Sequence, residues 1–267
     1  MPTQTISTYR TICIKKKLSK LPKSIVQLQK FQKLYCSSNR LQALPDGIGQ
    51  LQYLQVLHCY RNQLQALPES LAQLQHLKEL SCYYNQLHAL PENIEQLQNL
   101  KVVNCSFNQP PALPESIGQL NNLQQFSCAD NQLQALPKNI VKLKHLKEFF
   151  CSSNQLQTLP ESMGLLKNLQ VLNCSNNLLQ VLSDSIRQLQ NLEWLYCCSN
   201  QLQTLPESLA ALHNLQELHC ASNQLTSLPE ELALLPQLHY IDARHNPLVN
   251  IPPTLRQKKG LMLLVDE

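Results

Sequence analysis

The sequence predicts an α/β solenoid, a stack of short parallel strands in which each strand is followed by a short helical or 3-10 segment that carries the chain back. Two observations predict it. Asparagine occurs at positions 39, 62, 85, 108, 131, 154, 177, 200, 223 and 246, ten times at a spacing of 23. Around each of them leucines recur at fixed offsets, as Leu54, Leu57, Leu64, Leu67, Leu71 and Leu74 do about Asn62. A period of a few tens of residues held over many cycles marks a repeat array, in which each unit buries its apolar side against the next.

The elements of one turn follow in order. Leu54, Leu57 and Cys59 are inward positions, and Val56, His58 and Tyr60 alternate outward, the period-2 signature of a short strand. Asn62 ends the run where the chain turns, and its amide is suited to bond the backbone groups the turn leaves without partners. Ten such residues in line predict a ladder. Pro68 and Glu69 then open the return segment, because proline is tolerated at a first helical position and an acid suits a helix N-terminus. Leu71, Leu74 and Leu77 follow at intervals of three, which fits a short α or 3-10 segment buried along one stripe.

From about Thr8 to Lys258 this frame resembles the leucine-rich repeat family in its 23-residue class. The resemblance implies a right-handed β-α superhelix with a concave parallel sheet and convex helical or 3-10 segments. Residues 1–30 read as a degenerate N-terminal capping repeat, 31–260 as ten repeats and 261–267 as a C-terminal capping strand. At the start Thr8, Thr11 and Lys16 stand where the two leucines and the asparagine would. At the far end Ala243 replaces cysteine, Lys258 replaces leucine, and Leu261 to Val265 form a twelfth strand. Pro110 and Pro111 interrupt one turn, and Ser183 stands where proline is otherwise found. Near-identical repeats with cysteine in the strand look like bacterial leucine-rich repeat proteins, some of them effectors delivered into host cells.

Of eleven cysteines, ten from Cys13 to Cys220 share the 23-residue frame. The family pattern makes that position inward-facing, where cysteine serves as a small buried hydrophobe. Parallel neighbours about 4.8 Å apart and pointing the same way are badly placed for a bridge, which predicts free thiols and a reducing, cytoplasmic setting. No run reaches the ~18 apolar residues of a membrane span, and the first thirty residues contain no continuous apolar stretch of a secretory signal.

The net charge of +4 is unevenly spread, since residues 1–45 hold nine Lys or Arg and no acid. Lys15, Lys16, Lys17, Lys20, Lys23, Lys30 and Lys33 make this end suited to a lipid surface, nucleic acid or an acidic partner. No aromatic alternates with these lysines as base stacking would require, which argues against nucleic acid.

Functional residues are sought among the outward strand positions, because the repeat itself describes only the core. Nine of fourteen aromatics fall there. Tyr35, Tyr60, Tyr83, Tyr84 and Phe107, flanked by His58, Arg40 and Arg61, form a first group; Phe150, Trp194, Tyr196, His219 and Tyr240 form a second. Exposed rings on a rigid surface bring contact area at little entropic cost, which predicts a protein-binding face. Cross-strand packing is the structural alternative, and self-association is another way to cover such rings. Cys198, His219 and Asp242, with His245, are the one set that suggests a thiol or metal site. With no phosphate-binding glycine loop, zinc-protease helix or nucleophile elbow, the expectation is a non-enzymatic binding module without cofactor.

Overall fold

The computed structural model describes residues 11–14 and 17–266, and the chain divides into two compact units, residues 1–132 and 133–267. The first unit holds six parallel strands in sequence order: β1 (Thr11–Cys13), β2 (Lys33–Tyr35), β3 (Val56–His58), β4 (Glu79–Ser81), β5 (Val102–Asn104) and β6 (Gln125–Ser127). In the second lie β7 (Glu148–Phe150), β8 (Val171–Asn173), β9 (Trp194–Tyr196), β10 (Glu217–His219), β11 (Tyr240–Asp242) and β12 (Met262–Leu264), again parallel and in order. The predicted twelfth strand is β12, paired to β11.

The return segments are 3-10 turns, as in Glu69–Gln73, and the leucine spacing explains why. Leu71, Leu74 and Leu77 each donate their N–H to the carbonyl three residues back, at 2.9, 3.0 and 2.9 Å. A three-residue hydrogen-bond period places side chains at i and i+3 over one another, so a leucine at every third position gives one fully buried stripe. Pro68 precedes the segment in extended conformation, and the missing proline at 183 is replaced by a cap, Ser183 Oγ accepting from Ser185 N at 3.3 Å. The exception is one short α-helix, Pro253–Gln257.

The asparagine ladder forms as expected and spans turns. Asn62 donates Nδ2 to the Cys59 carbonyl of its own turn at 2.9 Å and to the Cys36 carbonyl of the turn before at 3.0 Å, while its Oδ1 accepts from Leu41 N at 3.0 Å. Asn200 repeats this pattern in the second unit, on Cys197 O, Cys174 O and Leu179 N. A second ladder runs along the return segments: Asn99 and Asn122 donate to Gln75 O and Gln98 O, and Asn168, Asn191 and Asn214 to Lys144 O, Lys167 O and Gln190 O. His76 takes the same place through Nδ1 on Gln52 O at 2.9 Å.

One expectation is corrected at the start of the array. Strands β2 to β6 pair at an offset of 23, but β1 pairs to β2 at 22, with Ile12 opposite Leu34 and Cys13 opposite Tyr35. Cys13 therefore leaves the buried column and is exposed, whereas Cys36, Cys59 and the rest of the column are buried. Ile14 stands in the column instead, its N–H bonding Tyr35 O at 2.8 Å just as Cys36 N bonds His58 O. Thr11 likewise sits outward, and Ile12 fills the core place. Thr8 and Lys16 lie outside the described residues. At the other end Ala243 is fully buried in the cysteine column, and Lys258 turns its Nζ onto the carbonyls of Ala233 and Leu235 at 3.1 and 2.8 Å.

Candidate protein-binding face

Each turn presents four outward positions: two in the strand, one just after the inward cysteine, and one just before the asparagine. The last is held in the left-handed region throughout, at φ 51 for Arg61, 52 for Tyr84, 54 for Phe107 and 57 for His245, and no glycine occupies it. For bulky side chains this conformation is rare and costs roughly 1–2 kcal/mol per residue. The ladder over-determines it, since the asparagine that follows is bonded on both sides, so Tyr84 and Phe107 are fixed outward and stay 44% and 38% exposed.

In the first unit all the predicted aromatics come together. Tyr35 meets His58 edge-on at 4.9 Å, and His58 lies 5.8 Å from Tyr60. Tyr60 and Tyr83 stack at 4.4 Å with an interplanar angle of 11°, Tyr83 meets Tyr84 edge-on at 5.7 Å, and Tyr84 stacks on Phe107 at 4.0 Å. The Arg61 guanidinium lies 5.6 Å from the Tyr84 ring centre. His58 is oriented by Glu79, whose Oε1 is 2.6 Å from Nε2. Burial and the neighbouring Tyr60 push the Tyr83 hydroxyl above its ordinary range, with Arg61 opposing. Beyond Tyr60 lies a recess of about 830 Å³ lined by Cys13, Ile14, Lys17, Tyr35, Ser37, Ser38, His58 and Tyr60. Of the basic end, Lys17 lines this recess; Lys15 lies outside the described residues.

The second unit assembles less of its predicted group. Tyr196 stacks on His219 at 4.5 Å, and His219 lies 4.9 Å from Tyr240. Trp194 is on the same strand as Tyr196 and opposite Glu217, whereas Phe150 is on β7 beside Asn173, two strands from β9. Burial and Glu217 raise the Tyr196 hydroxyl.

The Cys198, His219 and Asp242 set is not wired for catalysis. Asp242 is opposite His219 as expected, but His219 Nε2 bonds Glu217 Oε2 at 2.9 Å, and Asp242 is gripped by Arg244 at 2.9 and 2.7 Å. Those bonds hold the Asp242 carboxyl below its ordinary range. Burial pushes the Cys198 thiol up, away from the thiolate a nucleophile needs. His245 points to Asp266. Among the described residues no group of three or more His, Cys, Asp or Glu is placed to hold a metal ion.

The cysteine column is chemically quiet. All eleven cysteines are free, and column thiols donate to the next strand's carbonyl, Cys36 to His58 O at 3.4 Å and Cys105 to Ser127 O at 3.3 Å. Burial raises Cys36, Cys105 and Cys174 to about 12. No helix among the described residues is long and apolar enough to cross a membrane.

Residues 37–112 match the family described as a leucine-rich repeat region, and residues 190–235 match that of leucine-rich repeats in two copies. The chain belongs to the leucine-rich repeat family, in its 23-residue class. Its similarity extends to solved structures. A functional domain of InlJ from Listeria monocytogenes, described as including a cysteine ladder, is 25% identical, with a TM-score of 0.80 over 92% of this chain and 51% of that one. YopM, described as a leucine-rich effector protein from Yersinia pestis, is 26% identical, with a TM-score of 0.76 over 96% and 71%. A plant peptide hormone receptor, RGFR1 in complex with RGF2, is 26% identical, with a TM-score of 0.70 over 92% and 45%. This chain spans about half the length of the Listeria domain and less of the plant receptor. No match is found among curated proteins.

Proposed function

We propose that this chain is a non-enzymatic protein-recognition module whose contact face is the aromatic surface of its sheet. The observation that carries this is the unbroken run of ring contacts from Tyr35 through His58, Tyr60, Tyr83 and Tyr84 to Phe107. Two of those rings, Tyr84 and Phe107, stand at the left-handed position that every turn keeps before its asparagine, which holds them outward. Arg61 beside them adds the side chain most enriched with Tyr and Trp at interface hot spots. Tyr196, His219, Tyr240, Trp194 and Phe150 form a second contact patch on the other unit. A neighbour described as a peptide hormone receptor supports a polypeptide ligand, and one described as an effector protein supports an effector role.

The test is affinity capture from eukaryotic and bacterial lysates by wild type and by a Tyr83→Ala/Phe107→Ala variant shown to be folded. A protein retained by wild type at moderate salt and lost from the variant is the expected result. Identical captures that vanish together as salt rises would move recognition to the basic N-terminal end.

A further inference from the structure

The stack Tyr83–Tyr60 ends in an open place. The position after the inward cysteine carries Ser37, Tyr60, Tyr83 and Ser106 in successive turns of the first unit. Tyr83 covers one face of Tyr60 at 4.4 Å; on the other side the neighbouring turn has only Ser37, and Ser38 N bonds the Tyr60 carbonyl at 3.0 Å. The ring that would continue the stack is missing, and the recess of about 830 Å³ fills that place. Tyr35 and His58 form its second aromatic wall and Ile14 an apolar end. Ser37 lines the recess with a small side chain whose Oγ is itself closed off from solvent. Lys17 supplies a cation, the recess-lining side chains include no carboxylate, and the one acid beside them, Glu79, is already taken by His58.

We propose that this recess takes a planar aromatic side chain of the partner, tyrosine or phenylalanine next to an aspartate or glutamate in an extended acidic peptide. The ring stacks on the open face of Tyr60 and extends the Tyr60–Tyr83 pair. The neighbouring carboxylate pairs with Lys17. The size suits this, since pockets that bury a small ligand run to roughly 300–1,000 Å³ and are mostly apolar with a few polar groups. The site lies within the aromatic face and rests on that face being a recognition surface.

A decisive variant comes from the repeat itself. Tyrosine already occupies this column at positions 60 and 83, so Ser37→Tyr completes the stack from within without asking anything new of the fold. The probes are random copolymers of Glu with Tyr, Glu with Ala and Lys with Tyr, measured by fluorescence anisotropy against the full chain. The Glu–Tyr polymer should bind at least about tenfold more tightly than either control, the scale of one aromatic contact joined to one ion pair. Ser37→Tyr should abolish that preference while melting at or above the wild-type temperature, and Lys17→Gln should weaken binding and flatten its salt dependence. Binding of Glu–Tyr that Ser37→Tyr leaves unchanged, or equal binding or none with all three polymers, overturns the proposal. A protein captured by wild type and lost on Tyr83→Ala/Phe107→Ala in that case leaves the face as the recognition surface and removes only the recess.

Discussion

Asn131 Oδ1 accepts a hydrogen bond from the backbone N–H of Asn108 at 2.9 Å, whereas the preceding ladder residue, Asn108, accepts from Leu87 N at 2.9 Å. Pro110 stands where Leu87 would be one turn on and has no N–H to give, so the asparagine reaches the nearest donor instead. The interruption at Pro110 is thus absorbed by a switch of donor, not by a break in the ladder. Asn85, in an uninterrupted turn, bonds Cys59 O, Cys82 O and Leu64 N. Asn85→Ala leaves the Leu64 N–H buried without its acceptor, whereas Cys59 O keeps Asn62 and Cys82 O keeps Asn108, and the loss should be about 2 kcal/mol. Urea unfolding of Asn85→Ala measures this, and a loss below about 1 kcal/mol would mean that the ladder is not what pins the turns.

Alkaline stability should be set by the cysteine column. Below the ordinary thiol value of 9.0, folded and unfolded chains both hold their thiol protons; above it the unfolded chain releases protons that the buried thiols keep up to about 12. The unfolded state then binds fewer protons, so stability falls with rising pH, by about 1.4 kcal/mol per thiol per pH unit. Melting should drop steeply between pH 9 and 11, and a Cys36→Ala/Cys105→Ala/Cys174→Ala variant, though less stable at pH 7, should show a shallower slope.

Thiol reactivity separates the corrected register from the uniform one. At pH 8 Cys13, exposed beside Tyr35, should react first with a disulfide reagent, Cys198 slowly, and the buried column only on unfolding. A Cys13 as inert as Cys36 would restore the offset of 23 to the first turn.

The stacked aromatic run should contribute to folding. Tyr83→Ala removes a stack and an edge contact and should lower stability by about 1–2 kcal/mol, against the 2–5 kcal/mol expected for Leu80→Ala in the core. Equal losses for the two, read from thermal or urea unfolding, would make the rings core residues in all but position.

Backbone strain before the ladder is separable from ring packing at Ser199, held at φ 53. Ser199→Gly relieves it and should stabilise by about 0.5 kcal/mol, while the β-branched Ser199→Val should cost about 1–2 kcal/mol. Opposite signs in denaturant midpoints are the expected outcome.

The strands, the inward leucines and the asparagine ladder were legible because one period fixes them all. What escaped was local. Cys13 kept the cysteine phase while β1 moved by one residue, so letter spacing and strand register parted. The ladder of Asn99 and Asn168 was not read at all, because a ladder on an exposed segment leaves no hydrophobic pattern. The ring of Tyr60 could be placed on the outward face from alternation alone, whereas Tyr84 breaks the alternation and is turned outward by its left-handed backbone. Their stacks could not, because side-chain torsions have no period. Cys198, His219 and Asp242 read as a set because Glu217 and Arg244, two residues from His219 and Asp242, were not recognised as closer partners.

Asn62 fastens to carbonyls of its own turn and of the turn before, and the following turn's Asn85 does the same one step on. Apart from Asn131, which takes its donor from Asn108, each ladder asparagine among the described residues reaches only an adjacent turn, in the same phase. Excising one 23-residue segment of an uninterrupted turn, or splicing in a copy of one, therefore regenerates the same fastenings at the new seam. Unequal recombination can lengthen or shorten an array of this kind without inventing a new interface, and can shuffle Tyr60, Tyr83 or Phe107 along the face as whole cassettes.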